Sequence, residues 1–299
     1  MRALVTGANG FVGRHLVAHL EAEGDTVSAV DREVDVSDTD AVAHAIVAAR
    51  PDAIYHLAAL SHVGDSWREP AEVARVNVGG TRHVLDAAAR RAPDALLLVV
   101  SSADVFGVVS EDDLPLDEGH ATAPVSPYGQ SKRDAELLAG EAARGGQRVI
   151  VARPFNHVGP GQAPTFVVPA LASRLFAARA AGRREIAVGD LSARRDFTDV
   201  RDVVRAYRLL ATLGDIGATY HVASGVDVSI ADVADRLIAM ISPGSRVVVD
   251  PDLVRPVEVP ALRGDATKLR NATGWTTTIT LDQSLRDVVD ALAERGPGG

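Results

Sequence analysis

A tyrosine and a lysine four residues apart have the clearest chemical meaning of any pair in this sequence. Tyr128 and Lys132 fall on a predicted helix that begins near Ser126 and Pro127, so their side chains share one face of it. An ammonium group beside a phenol favours the phenolate, which lowers the pKa of the tyrosine and makes it a usable proton donor or acceptor. The same spacing is common on solvated helix surfaces, so other motifs must accompany the pair.

A hydroxyl group is expected near this pair. The apolar run at residues 97–100 ends in Ser101 and Ser102, and open α/β sheets bind ligands at the carboxyl ends of their strands. Either serine is able to hydrogen-bond a substrate oxygen; the alternative is that both only cap the strand end. Side-chain chemistry does not choose between them.

A glycine-rich loop lies at the first predicted strand-to-helix turn. Residues 3–6 form an apolar strand, and the glycines that follow have the spacing G-x-x-G-x-x-G. Such glycines let the backbone approach a pyrophosphate at the N-terminus of the next helix, although turns and close helix packing also require glycine. The loop predicts a dinucleotide site made by Gly7, Asn9, Gly10, Phe11, Val12 and Gly13.

The end of the second predicted strand bears on which dinucleotide binds. Asp31 offers a carboxylate that would hydrogen-bond both ribose hydroxyls of NAD and repel the additional phosphate of NADP. Arg32 follows it directly, and a guanidinium there would pair with that phosphate. The expected cofactor is NAD or NADP: Asp31 favours NAD, and Arg32 leaves the choice open. The alternative is that both are only turn residues.

These candidate residues need a scaffold that places them at one edge of a sheet. The first half of the chain alternates short apolar runs with longer segments of helical periodicity, such as residues 11–23 and 38–50. This alternation is typical of parallel strands joined by crossover helices. The sequence therefore predicts an α/β protein with a Rossmann-type doubly wound parallel sheet. Its predicted strands are residues 3–6, 26–31, 53–57, 95–102 and 148–153.

The pattern changes after Arg153. Prolines and glycines between residues 154 and 169 interrupt it, and later strands such as residues 185–188 and 246–249 stand farther apart. We expect residues 1–160 to form mainly the NAD(P)-binding domain and residues 161–299 mainly a smaller α/β substrate-binding lobe, with some exchange of chain between them. Trp67 and Trp275 are interpreted as packing residues, and Trp275 is expected to close the small lobe.

Composition excludes several classes of function. The 299 residues carry a formal charge of −9, which disfavours nucleic acid as a partner. The chain has no cysteine, and His56, His62, His157 and His221 lack the i, i+4 spacing of a helical metal pair, so neither disulfides nor a metal site are predicted. No apolar run is long enough to span a bilayer and no basic leader precedes the first strand. We expect a cytoplasmic protein without membrane partners.

Several ordered motifs resemble the extended short-chain dehydrogenases that act on nucleotide sugars, over nearly the whole chain. They are TGANGFVG at residues 6–13, HLAA at 56–59, NVGGT at 77–81, SSADVFG at 101–107, SPYGQSK at 126–132 and RPFNHVGPGQ at 153–162. Relatives usually carry tyrosine where this chain has Phe106, and counting back from it assigns the catalytic hydroxyl to Ser102. The resemblance also implies that Lys132 holds the nicotinamide ribose. Further implied cofactor contacts are Asp35, Val36, Leu57, Ala58, Ala59, Asn77 and Pro154.

The second half of the chain narrows the substrate. RRDFTDVRD at residues 194–202 and RPVEVP at 255–260 are similar to segments of the GDP-mannose 4,6-dehydratases and the GDP-4-keto-6-deoxy-mannose reductases. By this resemblance Arg195 and Arg255 clamp the diphosphate and Glu258 holds the nucleotide ribose, since guanidinium forks suit phosphate oxygens. The alternative is that they form surface ion pairs. Further residues implied to line the substrate are Asn156, His157 and Val168.

The reaction within this family is less sharply indicated. A 4,6-dehydratase needs a carboxylic base for the C5 proton, and Asp104 stands where dehydratases carry the longer glutamate. FNHVGPGQ and RRDFTDVRD look closer to the reductases. We therefore favour NAD(P)H-dependent reduction of the C4 ketone of a GDP-4-keto-6-deoxy-hexose to a GDP-6-deoxy-hexose such as GDP-rhamnose. A GDP-mannose 4,6-dehydratase, a nucleotide-sugar 4-epimerase and a catalytically inactive cofactor sensor are the alternatives.

A homodimer is expected, because relatives commonly dimerise through the helix after Asn77 and the helix that carries Tyr128. The same side chains would alternatively face the sheet. The apolar side chains on these helices are Val84, Leu85, Ala88, Leu137 and Leu138.

Overall fold

Short apolar runs and amphipathic segments fold into alternating strands and helices. The computed structural model describes residues 1–253 and 259–295. Its strands are β1 (Arg2–Thr6), β2 (Thr26–Val30), β3 (Ala53–His56), β4 (Leu96–Val100), β5 (Val149–Pro154), β6 (Asn156–Val158), β7 (Glu185–Val188), β8 (Arg194–Asp199), β9 (Thr219–Val222), β10 (Asp227–Ser229), β11 (Arg246–Val249) and β12 (Ala261–Leu262). Its helices are α1 (Phe11–Ala22), α2 (Thr39–Ala49), α3 (Val63–Ser66), α4 (Pro70–Ala74), α5 (Gly80–Arg91), α6 (Pro127–Arg144), α7 (Val167–Ala180), α8 (Val200–Leu213), α9 (Ile230–Ile241), α10 (Thr267–Thr273) and α11 (Leu281–Arg295).

The first sheet is parallel and has the strand order β2-β1-β3-β4-β5-β9. In its register Val5 lies between Ala29 of β2 and Tyr55 of β3. The chain passes from β1 outward to β2 and returns to β3 on the other side, so a crevice opens at the carboxyl ends of β1 and β3. The predicted Rossmann-type sheet is confirmed. Predicted strands 53–57 and 95–102 ran too long, because their last residues belong to loops at this edge.

Helices cover both faces of this sheet. On one face α1 and α8 bury Leu16, Leu20 and Tyr207 against the strands. On the other face α2, α5 and α6 contribute side chains such as Ile46 and Ala139. Burial of each large apolar side chain contributes about 1.5–3 kcal/mol, so these two layers hold the strand ends in fixed positions.

The apolar residues considered for a dimer interface divide between core and surface. Val84, Leu85 and Ala88 are buried against the sheet, which is the alternative stated above. Leu138 is partly buried on the same core, whereas Leu137 is 56% exposed on α6. Only Leu137 of the five therefore offers a large exposed apolar surface.

A second core lies in the C-terminal part of the chain, where α7, α9 and α11 pack together. Strand β8 is the centre of a small sheet with β10, β12 and β6, and β7 pairs with β11. Strand β9 also comes from this half, yet it pairs with β5 and completes the first sheet. Trp275 is a buried packing residue, as predicted, but it belongs to the core of the first sheet and not to the small lobe; its Nε1 donates to the Asp202 carbonyl at 2.9 Å. None of the described helices is long and apolar enough to cross a membrane.

Candidate active site

A cavity of about 1160 Å³ opens at the carboxyl edge of the first sheet and extends to the second core. Every site residue predicted from the sequence within the described ranges lines this cavity, except Asn77. Arg255 and Glu258, which were predicted to bind phosphate and ribose, lie outside the described residues. The glycine loop, the Tyr128 region and β8 thus face one continuous space.

The glycine loop after β1 leaves no room for side chains. Gly7 has a φ of +72°, and a Cβ atom there would lie 2.8 Å from the Ala58 backbone nitrogen. A Cβ atom on Gly13 would lie 2.1 Å from the Gly7 carbonyl oxygen. Gly10 precedes α1 and has no side chain to cap the N–H groups of its first turn. This backbone cradle at a helix N-terminus fits the pyrophosphate of a dinucleotide.

Two carboxylates lie just beyond β2, next to the glycine loop. Asp31 accepts the Asn9 N–H at 2.8 Å and the Arg32 N–H at 2.9 Å. Glu33 in turn accepts the Asp31 N–H at 2.8 Å. Asp31 is therefore fixed in the cavity wall, while Arg32 beside it is exposed.

Asp35 and Val36 continue this wall. Ser37 donates its hydroxyl to Asp35 at 2.7 Å and its N–H at 2.9 Å, and these hydrogen bonds lower the pKa of Asp35. Val36 packs against α5 at Gly80, where a Cβ atom would lie 2.7 Å from the Val36 Cγ2. Both residues line the cavity, where the motifs implied contacts with the cofactor.

Asn77 supports the site from behind. Its side chain accepts the Leu60 N–H at 2.8 Å and donates to the Leu60 carbonyl at 3.0 Å. It also donates to Ser131 Oγ on α6 at 2.9 Å. Asn77 lies in a π-helical turn, Arg75–Gly79, and such turns are frequent at functional sites. Asn77 thus holds the loop after β3 against α6, and its contact with the cofactor stays a prediction.

The two serines after β4 have different partners. Ser101 donates its hydroxyl to Glu136 Oε1 at 2.5 Å. Ser102 donates to Asp104 Oδ2 at 2.9 Å and accepts the Asp104 N–H at 3.1 Å. Burial raises the pKa of Tyr128, and the Ser102 hydroxyl, which lies beside that phenol, opposes this rise in part. The hydroxyl beside the tyrosine is therefore that of Ser102.

Tyr128 is a buried phenol that keeps its proton at neutral pH. Burial raises the pKa of Tyr128, and the charge of Asp104 raises it further. The expected effect of Lys132 is not met, because its Nζ donates to the Val100 carbonyl at 2.8 Å and lies 5.9 Å from the centroid of the tyrosine ring. Burial also lowers the pKa of Lys132 to about 8, against the opposing charge of Glu136. In this arrangement Tyr128 is a proton donor.

A glycine lets α6 approach the turn that carries Ser102. A Cβ atom on Gly129 would lie 2.6 Å from the Asp104 carbonyl oxygen. Ser126 caps the helix by accepting the Gly129 N–H at 3.0 Å. The cap and the close contact together place Tyr128 beside Ser102.

The far end of the cavity is made by side chains from separate segments. Asn156 and His157 lie on β6, which pairs with β8, the strand of Arg195. His157 stacks on Phe11, with ring centroids 6.0 Å apart, and burial lowers the pKa of His157. Val168 lies in the first turn of α7. These segments place an amide, a neutral imidazole and a guanidinium around one space.

Several cavity residues were not predicted, and three of them have large side chains that could contact a ligand. Arg174 of α7 lines the cavity and donates to the Ala187 carbonyl at 2.9 Å; its signal was an arginine in an otherwise apolar stretch. Tyr207 of α8 lines the floor. Trp67 also lines the cavity and is 55% exposed, so its interpretation as a packing residue is wrong. Across residues 1–253 and 259–295, no group of three or more His, Cys, Asp or Glu side chains could hold a metal ion.

Comparison with known proteins identifies the family. The chain matches the family model described as GDP-mannose 4,6 dehydratase over residues 32–288. It is 38% identical to the GDP-6-deoxy-D-mannose reductase of Pseudomonas aeruginosa, with 98% of each chain covered. The chain belongs to the GDP-mannose 4,6-dehydratase family. It is an NAD(P)-dependent nucleotide-sugar oxidoreductase of the extended short-chain dehydrogenase type, as the motifs predicted.

Solved structures share the fold over almost the whole chain. RMD from Pseudomonas aeruginosa, complexed with NADPH, has a TM-score of 0.91 and 36% identity, and the match covers 99% of this chain and 100% of that one. The UDP-glucose 4-epimerase of Thermus thermophilus, in complex with NAD, has a TM-score of 0.87 and 28% identity, with 99% of both chains covered. Family members with different reactions thus share the scaffold, so the reaction must be argued from the site.

Proposed function

We propose that this protein reduces the C4 ketone of a GDP-4-keto-6-deoxy-hexose with NAD(P)H, giving a GDP-6-deoxy-hexose such as GDP-rhamnose. The observation that carries the proposal is the state of the groups around Tyr128. A ketone reductase needs a proton donor at the carbonyl oxygen, and Tyr128 is a buried phenol with a raised pKa. A dehydratase also needs a free carboxylic base, whereas the Asp104 carboxylate accepts the Ser102 hydroxyl at 2.9 Å. The name of the similar reductase from Pseudomonas aeruginosa supports the same reaction.

The proposed mechanism assigns one task to each residue. NAD(P)H, when bound, supplies the hydride for C4. Tyr128 donates its phenolic proton to the ketone oxygen as negative charge develops there. Ser102 turns its hydroxyl proton from Asp104 to the same oxygen and keeps the Asp104 N–H as its own donor. Lys132, with a pKa of about 8, holds the nicotinamide ribose.

The sugar nucleotide is proposed to lie between Tyr128 and the second core. Arg195 would hold the diphosphate, since a guanidinium fork matches phosphate oxygens. Arg174 offers a second cation at the same cavity. Arg255 and Glu258 stay predicted contacts outside the described residues. The residues proposed to contact the sugar are Asn156, His157 and Val168.

For the cofactor we propose a preference for NADH over NADPH. Asp31 lies in the cavity wall, and backbone N–H groups hold its carboxylate in place. Glu33 and Asp35 add two further carboxylates to the same short segment. A 2′-phosphate placed beside these like charges is disfavoured, although the exposed Arg32 and Arg75, which lies 3.8 Å from Asp35, offset part of this charge. This preference differs from the NADPH in the RMD complex.

A GDP-mannose 4,6-dehydratase is the second candidate. The matched family model carries that description, and Asp104 lines the cavity. Such an enzyme returns its hydride to the sugar and needs no added reductant, whereas a reductase oxidises one cofactor per turnover. Cofactor balance therefore separates the two reactions.

The deciding experiment supplies purified protein with GDP-4-keto-6-deoxy-mannose and either NADH or NADPH. The proposal expects oxidation of the cofactor in step with formation of a GDP-6-deoxy-hexose, identified by mass spectrometry and NMR. Conversion of GDP-mannose to the keto sugar without reductant would establish the dehydratase instead. Interconversion of 4-epimers with no net cofactor change would establish an epimerase.

We also propose a homodimer that forms over α6, where Leu137 is 56% exposed. Light scattering is expected to give twice the chain mass, and Leu137→Glu is expected to shift the protein to monomer. A monomeric mass for the unaltered protein contradicts this proposal.

A further inference from the structure

A buried ion pair lies directly behind the proposed reaction centre. Arg153 donates from Nε and Nη2 to the two carboxylate oxygens of Glu136, both at 2.7 Å. Their side chains are only 9% and 11% exposed. Ser101 donates its hydroxyl to the same carboxylate at 2.5 Å. Three hydrogen bonds therefore converge on one buried carboxylate.

The groups of this cluster come from three elements that also line the site. Ser101 follows β4 and directly precedes Ser102. Arg153 lies near the carboxyl end of β5, next to a proline in the cavity wall. Glu136 lies one helical turn after Lys132 on α6. A single carboxylate thus connects the ends of two strands to the helix that carries the tyrosine and the lysine.

The charge of Glu136 also acts on Lys132. Side chains four residues apart on a helix are neighbours. Burial lowers the pKa of Lys132 to about 8, and Glu136 is the charge that opposes this effect. Lys132 Nζ donates to the carbonyl of Val100, the residue before Ser101, at 2.8 Å. The strand end that supports the ammonium is therefore the one that Glu136 binds.

Fold stability alone gives little reason for such a cluster. Removing two charges from water costs several kcal/mol per ion, and well-packed apolar residues of similar volume often stabilise a core as well or better. A buried pair of this kind is retained where it fixes geometry or charge.

We propose that Glu136 is a positioning residue for the reductase site: its carboxylate fixes the Ser102 turn and the end of β5 relative to α6 and keeps the ammonium of Lys132 charged. The kinetic part of this inference rests on the proposed function. The charge on Lys132 is measured separately, so that failure of the reaction and failure of the inference are distinguishable.

The first measurement uses the small number of lysines in the chain, which are Lys132 and Lys268. Protein labelled with carbon-13 at the lysine side chains gives two signals, and Lys268→Arg assigns them. In Glu136→Gln, which removes the charge and keeps the shape, the titration midpoint of Lys132 is expected to fall by about 1 pH unit. An unchanged midpoint overturns the inference, whatever reaction the protein catalyses.

The second measurement is the pH profile of keto-sugar reduction. Glu136→Gln is expected to lower kcat about tenfold or more, with KM little changed, and to move the alkaline limb to lower pH. Glu136→Asp keeps the charge but shortens the reach, so it is expected to restore the limb while kcat stays reduced. If the unaltered protein does not reduce the keto sugar, the proposed function fails, and the lysine titration still decides the role of Glu136.

A matched control exists in a second cluster of the same chemistry. Asp199 accepts two hydrogen bonds from Arg201 at 2.8 Å and one from the Ser284 hydroxyl at 2.6 Å, and it does not line the cavity. Asp199→Asn is expected to lower the melting temperature without moving the Lys132 midpoint or the pH profile. If Glu136→Gln does not fold, Ser101→Ala removes one bond to the carboxylate and keeps the charge. It is expected to lower kcat with the Lys132 midpoint unchanged, and an unchanged kcat contradicts the positioning role.

Discussion

The two ends of the cavity are built in different ways. At the cofactor end the wall is backbone from a single turn, and Gly7 and Gly13 leave no space for a Cβ atom. At the sugar end the wall is made by side chains from separate elements, such as Asn156 on β6, Arg174 on α7 and Arg195 on β8. A local motif suffices to specify the first end, whereas the second exists only after the chain has folded. We therefore expect substrate choice to depend on the side chains of the second end.

Between the two ends stands Tyr128, and its substitution has the largest expected effect. Tyr128→Phe removes the proton donor, so kcat for keto-sugar reduction is expected to fall by about 10²–10⁴-fold. Affinity for the reduced cofactor, measured by fluorescence titration, is expected to change little. The control is Tyr55→Phe, which removes a buried hydroxyl outside the cavity. Equal activity of Tyr128→Phe and the unaltered protein would favour the cofactor-sensor alternative.

The cofactor end is expected to tolerate no added atoms. In Gly13→Ala the new Cβ atom meets the Gly7 carbonyl oxygen at 2.1 Å and the Ala8 carbonyl oxygen at 2.7 Å, so the loop must move. Overpacking of this kind costs about 1–3 kcal/mol, and cofactor affinity is expected to fall about tenfold or more. Gly79→Ala is the control, because a Cβ atom there meets nothing within 4 Å. If calorimetric titration finds the same cofactor affinity in Gly13→Ala and Gly79→Ala, the backbone of the glycine loop does not limit cofactor binding, and the proposed difference between the two ends of the cavity is wrong.

A side-chain change at the sugar end is expected to act on one ligand only. Arg195→Gln removes the guanidinium proposed to hold the diphosphate, and loss of a charged hydrogen bond costs about 1.5–3 kcal/mol. The KM for the sugar nucleotide is expected to rise about tenfold or more, while cofactor affinity and melting temperature stay the same. A fall in cofactor affinity instead would show that the two ends are not independent.

Cofactor preference tests a charged side chain at the cofactor end that backbone N–H groups hold in place. Asp31→Asn removes the negative charge and keeps one of the two oxygens that accept the N–H groups of Asn9 and Arg32. The ratio of kcat/KM for NADPH to that for NADH is expected to rise about tenfold, which corresponds to about 1.4 kcal/mol. Glu33→Gln is the comparison variant and is expected to give a smaller rise. If the unaltered protein already prefers NADPH, the assignment of Asp31 is wrong.

The smallest expected effect concerns the pH profile. The charge of Asp104 raises the pKa of Tyr128, so Asp104→Asn lowers that pKa. Lys132, with a pKa of about 8, loses its charge before the buried phenol loses its proton, so ionisation of Lys132 sets the alkaline limb of kcat/KM. Asp104→Asn is therefore expected to leave this limb in place, as is Asp134→Asn on the exposed side of α6. A shift of the limb to lower pH in Asp104→Asn alone would show that Tyr128, and not Lys132, sets the limb.

The sequence predicted most of the fold and the cofactor end because both follow local rules. Strands β1 to β5 are short apolar runs, and the glycine spacing marks the first turn. Sequence reasoning placed Asn77 at the cofactor. In the structure its side-chain amide hydrogen-bonds Leu60 and Ser131, and only the folded chain brings these partners together. The direction of Lys132 and the burial of Tyr128 likewise depend on how α6 packs on β4.

The other positions that the sequence analysis missed also depend on contacts that only the folded chain makes. Trp67 lies outside any periodic pattern, so nothing in the sequence distinguished a cavity residue from a packing residue. Arg174 sits on an apolar helix, where an arginine is equally compatible with a surface position. The partner of Ser101 is 35 residues away on α6, and no spacing rule connects them.

The sixth strand of the first sheet has a consequence for any attempt to divide the protein. Strand β9 comes from the second half and pairs with β5 from Val151–Thr219 to Pro154–Val222. A fragment cut after residue 160 would expose the whole outer edge of β5, a strand whose residues are all buried in the intact chain. An unpaired, apolar edge strand is a template for pairing with other molecules. We therefore expect such a fragment to aggregate, so that it could not be used as a separate cofactor-binding domain.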